Sequence, residues 1–199
     1  MRIFLISILL IVIGNVGFGQ AILQWNTFGN AGTETTEPSV FNDGNLSATN
    51  LTMGAGVTPV ANGNRFGGSN WWDAGNTAGG NTIGEAIAGN NYFQFIVTPT
   101  AGCSVTPTSF VFSFDRSGTG PSTMVLRSSV DGFAANIGSI AVAASLNSGY
   151  TIAIPGITNV SGSITFRLYG TGASTLAGTG GFDCSATGVN VQLNGTTSC

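Results

Sequence analysis

The chain has 199 residues, of which only 7% are charged, with eight acids against five basic residues, a formal net charge of −3 and no histidine. That balance excludes a phosphate-gripping surface for nucleic acid, which needs clustered Lys and Arg. The missing histidine excludes Ser-His-Asp and Cys-His catalysis and the usual zinc sites.

With charge so far below the about 25% of ordinary globular proteins, the polar surface must be built from Asn, Thr, Ser and the 31 glycines. Such a surface is neutral and typical of extracellular β-rich modules. The chain opens MRIFLISILLIVIGNVGFGQA, where Arg2 precedes an apolar run, Ile3–Ile13, and Gly17 and Gly19 stand where cleavage before Gln20 requires small residues. The run falls short of the about 20 residues a membrane helix needs. Residues 1–19 therefore read as a secretory leader, and residues 20–199 as a single domain, secreted or held at the outer cell surface. No later apolar run reaches spanning length, and no cysteine near the cleavage point marks a lipoprotein.

Along the chain the apolar residues alternate with period two, the mark of half-buried strands. ILQWNTF alternates first. Glu34 and Glu37 follow in GTETTEP, a Thr-rich segment that reads as a solvated loop rather than as the facing carboxylates of a glycosidase. FNDGN then offers oxygen ligands at Asn42, Asp43 and Asn45 for calcium. It equally offers an Asp-Gly hairpin turn, and its single carboxylate favours the turn. A weaker strand is expected at 50–53. GGSNWWDAGN sets Trp71, Trp72 and Asp73 in a Gly/Asn context, as an aromatic platform for a sugar ring would be set. Neighbouring strand residues point to opposite faces, so at most one of the two indoles is exposed. In NTIGEAIA, residues 81–88, Thr82 and Glu85 have capping-box spacing for one short helical turn.

YFQFIV, SFVFSFD, TMVLRSSV, SITFRLYG and GVNVQLNG alternate in turn, with weaker strands expected at 137–142, 151–154 and 157–160. Turn residues bound each run, and the spacing predicts an all-β antiparallel sandwich. The charged stretch FDRSGTGPSTMVLRSSVDGF reads as two strands joined across 117–122. In it Arg116 or Arg127 bridges Asp115 or Asp131, or bonds loop carbonyls, to fix register rather than to do chemistry. An exported chain with three cysteines is expected to hold one disulfide. Spacing does not settle the pairing; Cys103–Cys184 is the favoured one, leaving Cys199 free or paired further along a longer chain. The sequons at Asn45, Asn50, Asn159 and Asn194 match the glycosylation pattern as often as chance allows in so Asn- and Thr-rich a sequence.

Three segments, EAIAGNNYFQFIVTPTAG, FDRSGTGPSTMVLRSSVDGF and GTGGFDCSATGVNVQLNG, carry a resemblance that extends over the chain from ILQWNTFG to its last strand. Together they resemble the N-terminal extracellular β-sandwich domain of secreted Bacteroidetes proteins of the type IX secretion, sorting-tag kind. The RSGTGP turn followed by LRSSVDGF is its most specific part. The resemblance implies a jelly-roll-like module that precedes further modules and contacts a surface or a glycan, and it carries over no catalytic residue. The leading expectation is thus a non-catalytic, surface-binding or adhesive module that takes carbohydrate or another cell-surface component, without a cofactor beyond calcium. A structural spacer of a multi-domain surface protein comes second, and a carboxylate-dependent glycoside hydrolase third.

Overall fold

A computed structural model describes residues 19–145, 148–184 and 188–199; the leader read over residues 1–19 lies outside them but for Gly19. Numbered along the chain, the strands are β1 (Gln20–Trp25), β2 (Thr36–Pro38), β3 (Phe41–Asn42), β4 (Asn50–Met53), β5 (Thr58–Pro59), β6 (Arg65–Ser69), β7 (Tyr92–Val97), β8 (Ser104–Arg116), β9 (Thr123–Ser128), β10 (Gly138–Ala141), β11 (Ser148–Ala153), β12 (Ile164–Thr171), β13 (Gly180–Asp183) and β14 (Val191–Ser198). They form two antiparallel sheets packed as a sandwich. The eight-stranded sheet runs β3-β1-β14-β8-β13-β6-β5 with β11 also on β8, and the six-stranded sheet runs β10-β9-β12-β7-β4-β2. Only the β5–β6, β9–β10 and β13–β14 connections stay within one sheet; the others cross, which is jelly-roll-like winding.

The long strand β8 organises the larger sheet. Along one edge it pairs first with β14 and then, from Phe114 to Arg116, with β13, while β11 takes the other edge. Its alternation puts Phe110, Phe112 and Phe114 inward, all within 1% of full burial. Phe93 and Phe95 of β7 meet them from the facing sheet. Ring centroids lie 5.1 Å apart for Phe95–Phe110, 5.3 Å for Phe95–Phe166 and 4.8 Å for Phe93–Phe182. Each such pair adds about 0.5–1.5 kcal/mol beyond the area it buries, so the core is an aromatic one.

Helix α1 (Ile83–Ala88) forms where the sequence sets a capping box: Thr82 accepts from the Glu85 N–H, and the Glu85 carboxylate accepts from the Thr82 N–H at 2.6 Å. Its Ala86 packs on Val125 and Tyr169, so the helix covers part of the outer face of the six-stranded sheet.

Three expectations need correction. The charged stretch is not a hairpin: β8 lies in one sheet and β9 in the other, and residues 117–122 carry the chain across. The disulfide joins Cys103 to Cys199, not to Cys184. Pairing of Ser198 with Ser104 brings the last residue beside Cys103, whereas Cys184 follows β13, which pairs with the other end of β8. Cys184 is buried, its sulfur 3.7 Å from the Gly188 carbonyl oxygen. Residues 157–160 make only a bridge, Val160 to Val105, and no strand.

Candidate functional site

The strand β9 ends in a single 3-10 turn, Ser129–Asp131, after which Gly132 and Phe133 both take left-handed backbone, φ +70° and +63°. Two such residues in succession fold the loop back on the sheet it has just left. The Phe133 N–H donates to the Ser128 carbonyl at 2.8 Å, and the Ile137 N–H to that of Leu126 at 2.9 Å. Asp131 accepts from the Ala134 and Ala135 N–H groups at 3.3 and 2.8 Å. Arg127 reaches over the loop, donating to Asn136 Oδ1 at 2.8 Å and to the Phe133 and Ala134 carbonyls at 2.7 and 3.1 Å. Of the alternatives the sequence left open for Arg127, bonding to loop carbonyls is the one found.

Arg167 of β12 completes the arrangement. Its guanidinium carbon is 4.4 Å from the Tyr92 ring centroid and 4.3 Å from that of Phe133, and its Nε donates to Gln94 Oε1 at 2.8 Å. On its other side the loop bounds a cavity of about 280 Å3 with Ser128, Val130, Asp131, Asn136, Ile137 and Ile157 on its walls. Val130 is 55% exposed. The cavity sits just below the about 300–1,000 Å3 of drug-sized sites, a size suited to a single ring. Its walls mix apolar faces with an amide, a carboxylate and a hydroxyl.

The other sequence candidates are dispersed. Trp71 is fully buried in the core, edge-on to Phe93 at 5.1 Å with its Nε1 donating to the Gly68 carbonyl, and offers no ring face to a ligand. Trp72 is half-buried against the core edge, its Nε1 donating to the Thr77 carbonyl at 3.3 Å, and Asp73 is exposed. At FNDGN the chain turns, with the Leu46 N–H on the Asp43 carbonyl. Asp43 Oδ1 accepts from the Thr197 hydroxyl at 2.8 Å and Asn45 donates to the same hydroxyl, while Asn42 turns to Ser39. Together they tie the turn to β14 beside a cavity of about 170 Å3. Among the described residues no group of three or more His, Cys, Asp or Glu gathers as metal ligands.

Arg116 donates to the Val142, Ser117 and Gly118 carbonyls. Asp115 pairs instead with Arg65, a residue the sequence did not single out. Arg65 is 4% exposed, with Nη2 on the Asp115 carbonyl at 2.7 Å and Nη1 3.8 Å from its carboxylate. Asp183 lies opposite Arg65 in the β13–β6 register, and burial pushes its carboxyl up while Arg65 pulls it partly back. Burial likewise lowers the Arg65 guanidinium, and Asp115 and Asp183 oppose that. Gly67 and Gly181 make this possible: a Cβ on either would stand 2.6 Å from the Cα of the other and within 3.0 Å of Arg65 Nε.

The remaining carboxylates are committed as well. Glu34 accepts from the Ala31 and Gly32 N–H groups, both at 2.8 Å, and against the opposing effect of its slight burial these and neighbouring backbone bonds hold its carboxyl below the ordinary value. Glu37 is not solvated as its Thr-rich segment suggested: it is buried on β2, and burial pushes its carboxyl up against the opposing bond from Asn30. Glu85 is held down to about 2 by the Thr82 N–H above all. Neither a protein-family model nor a curated protein matches the chain, so the site rests on its geometry.

Proposed function

We propose that the chain is an exported, non-catalytic binding module that attaches to a glycan-bearing surface through the loop that follows β9. The observation that carries this reading is where the acids go. Apart from the exposed Asp73, each carboxylate is committed to backbone N–H groups, to neighbouring polar side chains or to Arg65. A hydrolase needs an acid and a base or nucleophile poised over one cleft. Here the carboxylates instead stabilise turns, a helix cap and a buried ion pair, and the cavity by Asn136 and Ile157 is left to bind.

The spacer reading draws on a different observation, the covalent tie of the last strand to the start of β8. Native affinity electrophoresis in gels containing plant and bacterial polysaccharides separates the readings. The binding module is retarded by at least one polysaccharide, Asn136→Ala weakens that retardation, and no new reducing ends appear. Release of reducing ends abolished by a single Asp or Glu substitution would overturn it in favour of a hydrolase. Unretarded migration in every gel would favour the spacer.

A further inference from the structure

Arg127 and Arg167 stand directly opposite each other on β9 and β12, on the outer face of the six-stranded sheet. Such a pair has Cβ atoms about 4.5–5.5 Å apart, and like charges so placed destabilise a sheet. The acceptors they find are all neutral: Asn136, two loop carbonyls, Gln94 and, at 3.5 Å, the Tyr169 hydroxyl. The loop's own acid, Asp131, is turned away onto two N–H groups. The Nη2 group of each arginine meets no acceptor among the described residues, and neither is buried. One Nη2 group of each arginine is therefore left for an anion, side by side on this face, in a chain whose net charge is negative.

The register extends this pair into a track. Arg127, Arg167, Gln94 and Thr52 lie in one cross-strand row over β9, β12, β7 and β4. At about 4.8 Å between strands the row is about 14 Å long. The next row on one side is Val125, Tyr169 and Tyr92, beneath α1. On the other side stand Thr165 and the exposed Ile96. At the β9 end the track is closed by the 129–136 loop, with the Phe133 ring against Arg167. The cationic end is thus pre-oriented, because the rings of Tyr92 and Phe133 fix the guanidinium of Arg167, and one Nη2 group from each arginine can meet one oxygen of a carboxylate by a charge-assisted hydrogen bond. The neutral end offers an amide and a hydroxyl.

We propose that this row is the binding track for an acidic polysaccharide of the uronic-acid class, with Arg167 and Arg127 gripping a sugar carboxylate and Gln94 and Thr52 bonding hydroxyls along the chain. The proposal rests on the glycan-binding reading above and names its substrate class. An acidic peptide would supply the same carboxylate. A row that is cationic at one end and neutral along the rest suits a chain whose hydroxyls outnumber its charges.

The test uses polygalacturonate and its fully methyl-esterified form, which share a backbone and differ in charge, with polyglutamate as the peptide arm. The protein should bind polygalacturonate about tenfold or more tightly than the ester, with affinity falling as salt rises. Arg167→Gln should lose about tenfold, the scale of one charge-assisted hydrogen bond. Arg167→Lys, which keeps the charge without the planar guanidinium that the two rings hold, should recover only part of the loss, and melting curves confirm that both variants fold. Gln94→Ala weakens binding by removing both the amide that meets a sugar hydroxyl and the acceptor that holds Arg167 Nε. Equal affinity for acid and ester, equal affinity for polyglutamate, or an unaltered affinity in folded Arg167→Gln would each overturn the proposal while leaving a glycan-binding module standing. Retention by neutral glycans alone does the same, and retention by no glycan overturns both.

Discussion

Phe133 holds a left-handed backbone, φ +63°, a conformation that costs a non-glycine residue on the order of 1–3 kcal/mol unless its surroundings over-determine it. Here they do. Its ring lies on Arg167, its carbonyl accepts from Arg127, and its N–H is bonded to Ser128. Arg127 is the tie with most bonds to the loop, so Arg127→Ala should cost about 1–3 kcal/mol through carbonyls left short of a donor, a fall of several degrees in Tm by differential scanning calorimetry. An unaltered Tm would mean the loop is held without it. Glu85 gives a second test. Its carboxyl is held at about 2 against an ordinary 4.5, chiefly by the Thr82 N–H, so the folded state favours the ionised form. Its contribution is complete above about pH 4.5 and is lost as pH falls toward 2. Thr82→Ala should remove about 0.5–2 kcal/mol of helix stability, while the Glu85 titration, followed by NMR, should move up only slightly, because the variant loses the hydroxyl bond but keeps the dominant Thr82 N–H.

At the scale of elements, legibility followed whether the signal was local. The capping box around Thr82 and Glu85 is complete within one turn of chain, and the helix forms where the sequence placed it. YFQFIV and SFVFSFD show their alternation openly because every inward position holds a large side chain. In RFGGS and GGFD the alternation disappears, because Gly67 and Gly181 lack side chains so that Arg65 can lie across them. Both strands were invisible for that reason, and Arg65 with them. Gly181→Ala should therefore be destabilising, by about 1–3 kcal/mol for an overpacked site, as read from urea unfolding midpoints. A neutral effect would show that Arg65 can shift aside. The charged stretch misled for a related reason: turn residues at 117–122 say that the chain reverses, and both a hairpin and a crossing between sheets do that. The arginine track was likewise beyond reach, since Arg127 meets Arg167 only through the β9–β12 register.

For the molecule as a whole, the expected fold class, an antiparallel β-sandwich, is the one found, and the error lay in the covalent closure. Cysteine spacing does not encode pairing, and only the β14–β8 register puts Cys199 beside Cys103. The bond links residues 96 apart, a loop whose closure stabilises by roughly 4–5 kcal/mol in the chain-entropy account. Cys103→Ser should lower the unfolding free energy on that order in chemical denaturation, and an unchanged midpoint would mean that the sheet pairing alone holds the last strand. On the proposed reading a glycan sits on one sheet face and one end loop of this β-sandwich. The most direct measurement is backbone amide NMR of the isotope-labelled protein titrated with the oligosaccharide prepared from whichever polysaccharide retards it. The account predicts shifts concentrated at residues 128–137, 155–157 and along Arg167, Gln94 and Thr52, with little change at Trp72 and Asp73. Shifts confined to the Trp72–Asp73 loop, or none at all at saturating oligosaccharide, would contradict it.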